Sequence, residues 1–217
     1  LQEEDYRGER FANWHQDVKG NNDLLSITQP EIIKNIHLEY FEAGADIVET
    51  NTFNSNRISM ADYDMQELVH ELNLEAVKVA KQARDEYHQK HGDKPLFIAG
   101  SIGPTSKTAS ISPNVNDPAY REVDFDYLAK IYKEQALALI KGGSDVLLVE
   151  TIFDTLNAKA AFFGIEEAFD EIGKTLPLLA SGTITDAAGR TLSGQTTEAF
   201  LTSLSHLPLL SIGLNCA

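Results

Sequence analysis

The sequence is poor in the features on which many functional readings rest. It has one cysteine in 217 residues, which excludes an internal disulfide framework and fits a reducing compartment such as the cytoplasm. Basic residues are scarce: 18 Lys plus Arg stand against 33 Asp plus Glu, for a formal net charge of −15. Phosphate backbones and anionic membranes are recognised through clustered positive charge, so no nucleic acid and no membrane surface is expected as a partner. No apolar run approaches the length of a membrane-spanning helix. The opening residues, LQEEDYRGER, lack the apolar centre of a signal peptide. No GxGxxG or Walker-type loop follows an apolar run, which leaves nucleotide binding without local support. The histidines at 15, 37, 70, 88, 91 and 206 show no metal-ligand spacing. The aromatic residues are dispersed, so no stacking platform for bases is formed.

What is present is the composition of a folded domain, 42% apolar and 24% charged. Residues 1–28 read as an irregular lead-in with turn-forming residues at Lys19–Asp23. Thr28 and Glu31 match a capping box around Pro30, predicting a helix with Ile32, Ile33, Ile36, Tyr40 and Phe41 on one face and Gly44 at its end. Residues 29–217 then alternate. Strands are expected within 45–53, 95–104, 144–154, 177–186 and 209–217. Helices are expected over 57–89, from an Asp124 cap to about Lys141, up to Ile172, and over 197–206. The strands are apolar on both faces, which indicates a parallel sheet covered by helices. EAGADIVETNT (42–52) is echoed by KGGSDVLLVETIF (141–153), and repetition of one βα unit suits a barrel better than a doubly wound sheet. The expected fold class is therefore α/β, a (βα)8 TIM barrel of which about five strands are visible.

In such barrels working residues gather at the C-terminal ends of the strands. Those ends carry Glu49, Asn51 and Thr52; Gly103 and Thr105; Glu150 and Thr151; Thr183 and Asp186; Asn215 and Cys216. Two carboxylates and a thiol on one rim suit a polar small molecule bearing an amine. A structural role for Glu49 and Glu150, bonded to helix N-termini or to Arg57 and Arg190, is equally open at this point. Asp186 before Ala-Ala-Gly reads as a turn cap, and Ser193 as a helix cap beside a surface Arg190. Cys216 alone would ordinarily be a small buried hydrophobe.

RGERFANW (7–14), KGNNDLLSITQP (19–30), EAGADIVETNTFNS (42–55), GPTSKTASISPNVNDPAYR (103–121), VETIFDTLNAKAA (149–161), SGTITDAAGRTLSGQTTEAF (181–200) and GLNCA (213–217) span nearly the whole chain. Together they resemble the homocysteine-binding modules of cobalamin-dependent methionine synthases, which are (βα)8 barrels. The resemblance implies that Cys216 is one of three thiolates that bind zinc (Zn2+), the other two being an adjacent Cys-Cys pair in a later glycine-rich segment. It implies that Glu150 holds the homocysteine ammonium. Glu49 and Asn51 face the same rim by position and are pocket candidates. Zinc held by three thiolates keeps a fourth position for the substrate sulfur, which loses its proton there. Methylcobalamin, bound by another domain of the full-length protein, would supply the methyl group, and folate- and cobalamin-binding domains would be partners within one polypeptide.

The family's Cys-Cys pair and its Asp-Gly-Gly-Met-Gly-type opening strand are not among these residues. The expectation is a piece of a barrel domain that by itself neither holds zinc tightly nor turns over. Two other readings are carried: a cobalamin-independent methyltransferase using betaine or S-methylmethionine, and a non-catalytic barrel remnant that acts as a binding domain.

Overall fold

The computed structural model describes residues 1–216. Five strands, β1 (Ile47–Glu49), β2 (Phe97–Ile102), β3 (Val146–Ile152), β4 (Leu178–Gly182) and β5 (Leu209–Leu214), form one parallel sheet in the order β1-β2-β3-β4-β5. Neighbours in the sheet are neighbours in the chain, and helices occupy every crossover, as in part of a (βα)8 barrel. The helices are α1 (Glu3–Arg7), α2 (Leu25–Thr28), α3 (Pro30–Glu42), α4 (Arg57–Met60), α5 (Val69–His91), α6 (Phe125–Gly142), α7 (Thr155–Ile172) and α8 (Thr197–Leu204).

Local chemistry sets the helix ends. Asp124 caps α6 by accepting from Tyr127 N at 2.8 Å, and Gly143 ends it in a left-handed conformation (φ 95°) that a side chain would resist. Asp154 caps α7 through the N–H groups of Leu156 and Asn157. The outward side chains of the sheet, Ile102, Leu147, Val149, Ile152, Leu178 and Ala180, pack against α6 and α7 around Tyr132 and Phe162. Each fully buried Leu, Ile or Phe there contributes roughly 1.5–3 kcal/mol. The two helices approach so closely that a Cβ at Gly164 would collide with the Ala129 carbonyl.

Several expectations are corrected. The lead-in is not irregular throughout: it carries α1, a 3-10 turn (Asn22–Leu24) and α2, and its Phe11, Val18 and Leu24 pack with Met60, Met65, Val69 and Leu72. Arg7 organises it by donating to the carbonyls of Trp14 (2.6 Å) and Gln16 (2.9 Å). The capping box does not form, because Thr28 already belongs to α2 and its hydroxyl donates to Leu24 O at 3.3 Å. The helix expected over 57–89 is split into α4, two 3-10 turns (Ala61–Tyr63 and Gln66–Leu68) and α5. Asp64 breaks it with φ 55°, a conformation Asp tolerates through its short polar side chain. The inner strands are the most buried: β3 throughout except for half-buried Thr151, β2 except for Phe97, and β4 with Leu179 and Ser181 half-buried. β1 and β5, at the two margins of the described sheet, alternate or lie open because nothing in residues 1–216 covers their outer edges.

The concave face is what positions the site. Ala99, Val146 and Leu148, with the half-buried Leu179, make a small apolar floor. Two residues further toward the strand ends, the same face turns polar with Ser101, Glu150 and Ser181, joined by Glu49 from β1 and Asn215 after β5.

Candidate active site

Glu150 is central to this polar layer. Its strand is flanked on both sides, and the residue is only 8% exposed. Ser101 Oγ donates to Oε1 at 2.6 Å, a short charge-assisted bond, and Asn215 Nδ2 donates to Oε2 at 3.3 Å. Glu49 lies on the open margin strand, with its carboxyl end close to Glu150. Partial desolvation raises its pKa above the usual carboxylate range, and the like charge of Glu150 and a hydrogen bond shared with it add to the rise. The two arginines considered as alternative partners are engaged elsewhere. Arg57 bridges Glu67 (2.9 Å) and Glu134 (2.7 Å), and Arg190 Nη1 donates to Gly194 O at 2.8 Å. Two adjacent carboxyl groups therefore share the rim, an arrangement that a proton or an organic ammonium stabilises.

Thr151, next in the chain, interrupts the regular pairing of β3 with β4. Its φ is 54°, in the left-handed region, at a register shift between Val149 and Ile152. For a β-branched residue this is a strained conformation. It aims the Thr151 N–H at Asn215 Oδ1 (3.0 Å) and brings Thr151 Oγ1 to accept from Asn215 Nδ2 at 2.8 Å. Ser181 Oγ also donates to Asn215 Oδ1, at 2.9 Å. Cys216 is exposed, with φ 53°. Its Sγ lies 3.6 Å from Asn215 Nδ2 and 3.9 Å from Thr151 Oγ1, within reach for sulfur as an acceptor. It is not a buried hydrophobe.

The structure thus brings Glu150, Glu49 and Cys216 to one rim and leaves Asn51 out. Asn51 Nδ2 donates to Asn22 O (2.8 Å) and Ser26 Oγ (3.1 Å), pinning the lead-in rather than entering the Glu150 network. With Glu49 it also lines a groove of about 460 Å3 between α3 and β1. Asp186 caps its turn, accepting from Ala188 N and Arg190 N, both at 2.9 Å. Ser193 caps no helix: its hydroxyl donates to Phe153 O at 3.0 Å, and Thr196 caps α8 instead. Thr151 and Asn215 stand at strand ends without an assigned role in the sequence, and Ser101 and Ser181 were missed. Their signal is a polar residue on the inward phase of an otherwise apolar strand.

A metal would need more than these residues provide. Among the described residues no three His, Cys, Asp or Glu side chains are grouped to hold an ion, and Cys216 alone offers one thiolate.

A model of the homocysteine S-methyltransferase family matches residues 1–217. The chain belongs to the homocysteine S-methyltransferase family. The solved structure of the homocysteine methyltransferase MmuM from Escherichia coli in its metallated form is similar with a TM-score of 0.72 and 22% identity over 88% of this chain. Its apo form gives 0.67 and 21% over 91%. At that identity the likeness establishes the shared fold. The chain spans 65% of the length of metallated MmuM and 66% of the apo form. Among the described residues no helix is long and apolar enough to cross a membrane.

Proposed function

We propose that the chain is the homocysteine-binding module of a cobalamin-dependent methionine synthase, working in the cytoplasm, and that the rim of Glu150, Glu49, Asn215 and Cys216 receives homocysteine. The observation that carries this reading is that one side chain, Asn215, touches both the Glu150 carboxylate and the Cys216 thiol. Homocysteine has an ammonium at one end and a sulfur at the other. The carboxyl pair accepts the ammonium, and the part of the rise in the Glu49 pKa that comes from the Glu150 charge is relieved as the cation arrives. The apolar floor of Ala99, Val146 and Leu148 lies beneath the position of the methylene chain and keeps water from it. The substrate sulfur is left beside Cys216, on the open side of the rim where a donor has access. In the overall reaction that sulfur loses its proton and gains a methyl group, giving methionine.

Zinc, when bound, would lower the pKa of the substrate thiol, with Cys216 as one ligand. A single thiolate does not make a zinc site, so two further cysteines outside this sequence are part of the proposal and no step is routed through the metal here. Methylcobalamin and folate would be carried by other domains of the full-length polypeptide. The long matches KGNNDLLSITQP and NVNDPAYR favour this branch over methyltransferases that use betaine or S-methylmethionine.

Calorimetry with L-homocysteine and with 4-mercaptobutanoate, which lacks the amine, tests the reading. Homocysteine is expected to bind at least about tenfold more tightly, because only it offers the carboxylates a charged donor. Equal affinities, or no homocysteine binding, would sink it. Methyl transfer by the full-length protein from S-methylmethionine or betaine, but not from methylcobalamin, would assign the chain to the other branch.

A further inference from the structure

Asn215 makes more polar contacts than a residue that merely ends a strand requires. Its backbone N–H continues the sheet by donating to Gly182 O at 2.9 Å, while its side chain is used at both ends. Oδ1 accepts from Ser181 Oγ and Thr151 N, and Nδ2 reaches Thr151 Oγ1, Glu150 Oε2 and Cys216 Sγ. An amide accepts at its oxygen and donates twice from its nitrogen, which suits it to this place. A carboxylate there would lack the donors and would repel Glu150. The backbone strain at Thr151 is the second observation. A left-handed β-branched residue persists only where its surroundings hold it, and here the holding contacts are those to Asn215.

We propose that Asn215 and Thr151 form a single positioning device that fixes the Cys216 thiol relative to the Glu150 carboxylate. The left-handed turn at Thr151 presents its N–H and its hydroxyl to the same amide. That amide is thereby locked in one orientation, with one N–H on the Thr151 hydroxyl and Nδ2 held 3.3 Å from the Glu150 carboxylate and 3.6 Å from the sulfur. The strain at Thr151 is retained because a residue that relaxed into the strand would turn its N–H away from Asn215. The device rests on the reading of this rim as the homocysteine site for its purpose, but not for its geometry.

The test uses the 217-residue chain with the variants Asn215→Ala, Thr151→Gly and Thr151→Ser. Three quantities are measured: the alkylation rate of Cys216 by iodoacetamide without substrate, the homocysteine dissociation constant, and the thermal midpoint. Loss of one or two hydrogen bonds corresponds to about 5- to 10-fold in a rate or equilibrium governed by them. Asn215→Ala and Thr151→Gly are each expected to raise the alkylation rate and the dissociation constant by about that factor. Thr151→Gly should do so without lowering the thermal midpoint, because glycine accepts the left-handed conformation freely. That separation distinguishes positioning from simple destabilisation. Thr151→Ser keeps the hydroxyl and should restore wild-type values. Alkylation of Asn215→Ala and Thr151→Gly within twofold of the parent overturns the device, whatever homocysteine does. Altered alkylation in a chain that does not bind homocysteine upholds the device and removes the proposed substrate instead.

Discussion

The chain uses the dipeptide Glu-Thr twice at a strand end, at Glu49-Thr50 and Glu150-Thr151, and the two copies behave differently. Thr50, one residue past β1, keeps to the hydrogen bonding of the sheet: its N–H donates to Ala99 O at 2.9 Å, and its hydroxyl accepts from Ser101 N at 3.0 Å. Thr151, inside β3, interrupts the pairing with β4 in a left-handed conformation and hands its N–H to a side chain. Glu150 is walled in by strands on both flanks, whereas Glu49 stands on a three-residue strand with one flank paired. The loops that follow also differ in their anchors. Asp154 receives four donors, from Ser110 N, Ser110 Oγ, Leu156 N and Asn157 N. The loop after β1 is held by Asp23, which accepts from Asn54 N and Ser55 Oγ, both at 2.8 Å. Burial outweighs those bonds and pushes the Asp23 carboxyl up to about 6. The same local sequence therefore takes its role from its place in the sheet, and the more enclosed copy becomes the centre of the site.

The largest expected effect sharpens the contrast between the anchors. Asp23→Asn keeps an oxygen for Asn54 and Ser55 and removes a charge that burial disfavours. The folded-state value lies above the ordinary 3.8, so the unfolded chain ionises first as pH rises. The folded state consequently loses stability between pH 3.8 and about 6, and the deficit is constant above that. The variant should be more stable than the parent by up to about 3 kcal/mol at pH 8, with the difference gone at low pH. Urea melts at the two pH values measure it, and coincident melts at pH 8 would remove the contrast.

Next in size is Glu150→Gln, expected to weaken homocysteine binding about 30-fold, or about 2 kcal/mol, since a buried charged acceptor is lost. Glu49→Gln is expected to cost only about fivefold, because that carboxyl is partly solvated and already inclined to hold a proton. Equal losses at the two positions would break the comparison outright. The smallest effect is in pH dependence. Glu49 has its pKa raised, so homocysteine should bind more tightly as pH climbs through that raised value and Glu49 ionises. A titration calorimetry series should show this slope in the parent and not in Glu49→Gln.

Much of the architecture was legible because it rests on local rules. The apolar runs at 146–152 and 178–182, the Asp124 cap and the Asp186 turn each follow from a few adjacent residues, and each stands where those residues place it. Glu150 and Cys216 stand at the strand ends where their sequence positions put them. Other features depended on distant partners and were not legible. Thr28 and Glu31 have the spacing of a capping box, yet the packing of the lead-in gives Thr28 to the preceding helix. The break at Asp62-Tyr63-Asp64 lies inside a helical pattern and is stabilised by contacts such as Trp14 Nε1 donating to Tyr63 O at 2.9 Å, from 49 residues away. Asn51 has the right strand-end position but is claimed by Asn22 and Ser26. Nothing in the tripeptide Glu150-Thr151-Ile152 announces a left-handed threonine, because the side chain that sustains it comes from residue 215.

Strand order in the sheet repeats strand order in the chain, so each strand emerges after the neighbour it pairs with. Such a chain can assemble one unit at a time as it is synthesised, closing one crossover at each step. The rim is an exception to that economy. Glu150 and Asn215 are 65 residues apart and stand on strands separated by β4, so the site exists only once β5 has docked. β5 is also the most exposed of the five described strands. A molecule bound at the rim would hold that last strand in place, and amide exchange in residues 209–214 would slow as the site fills.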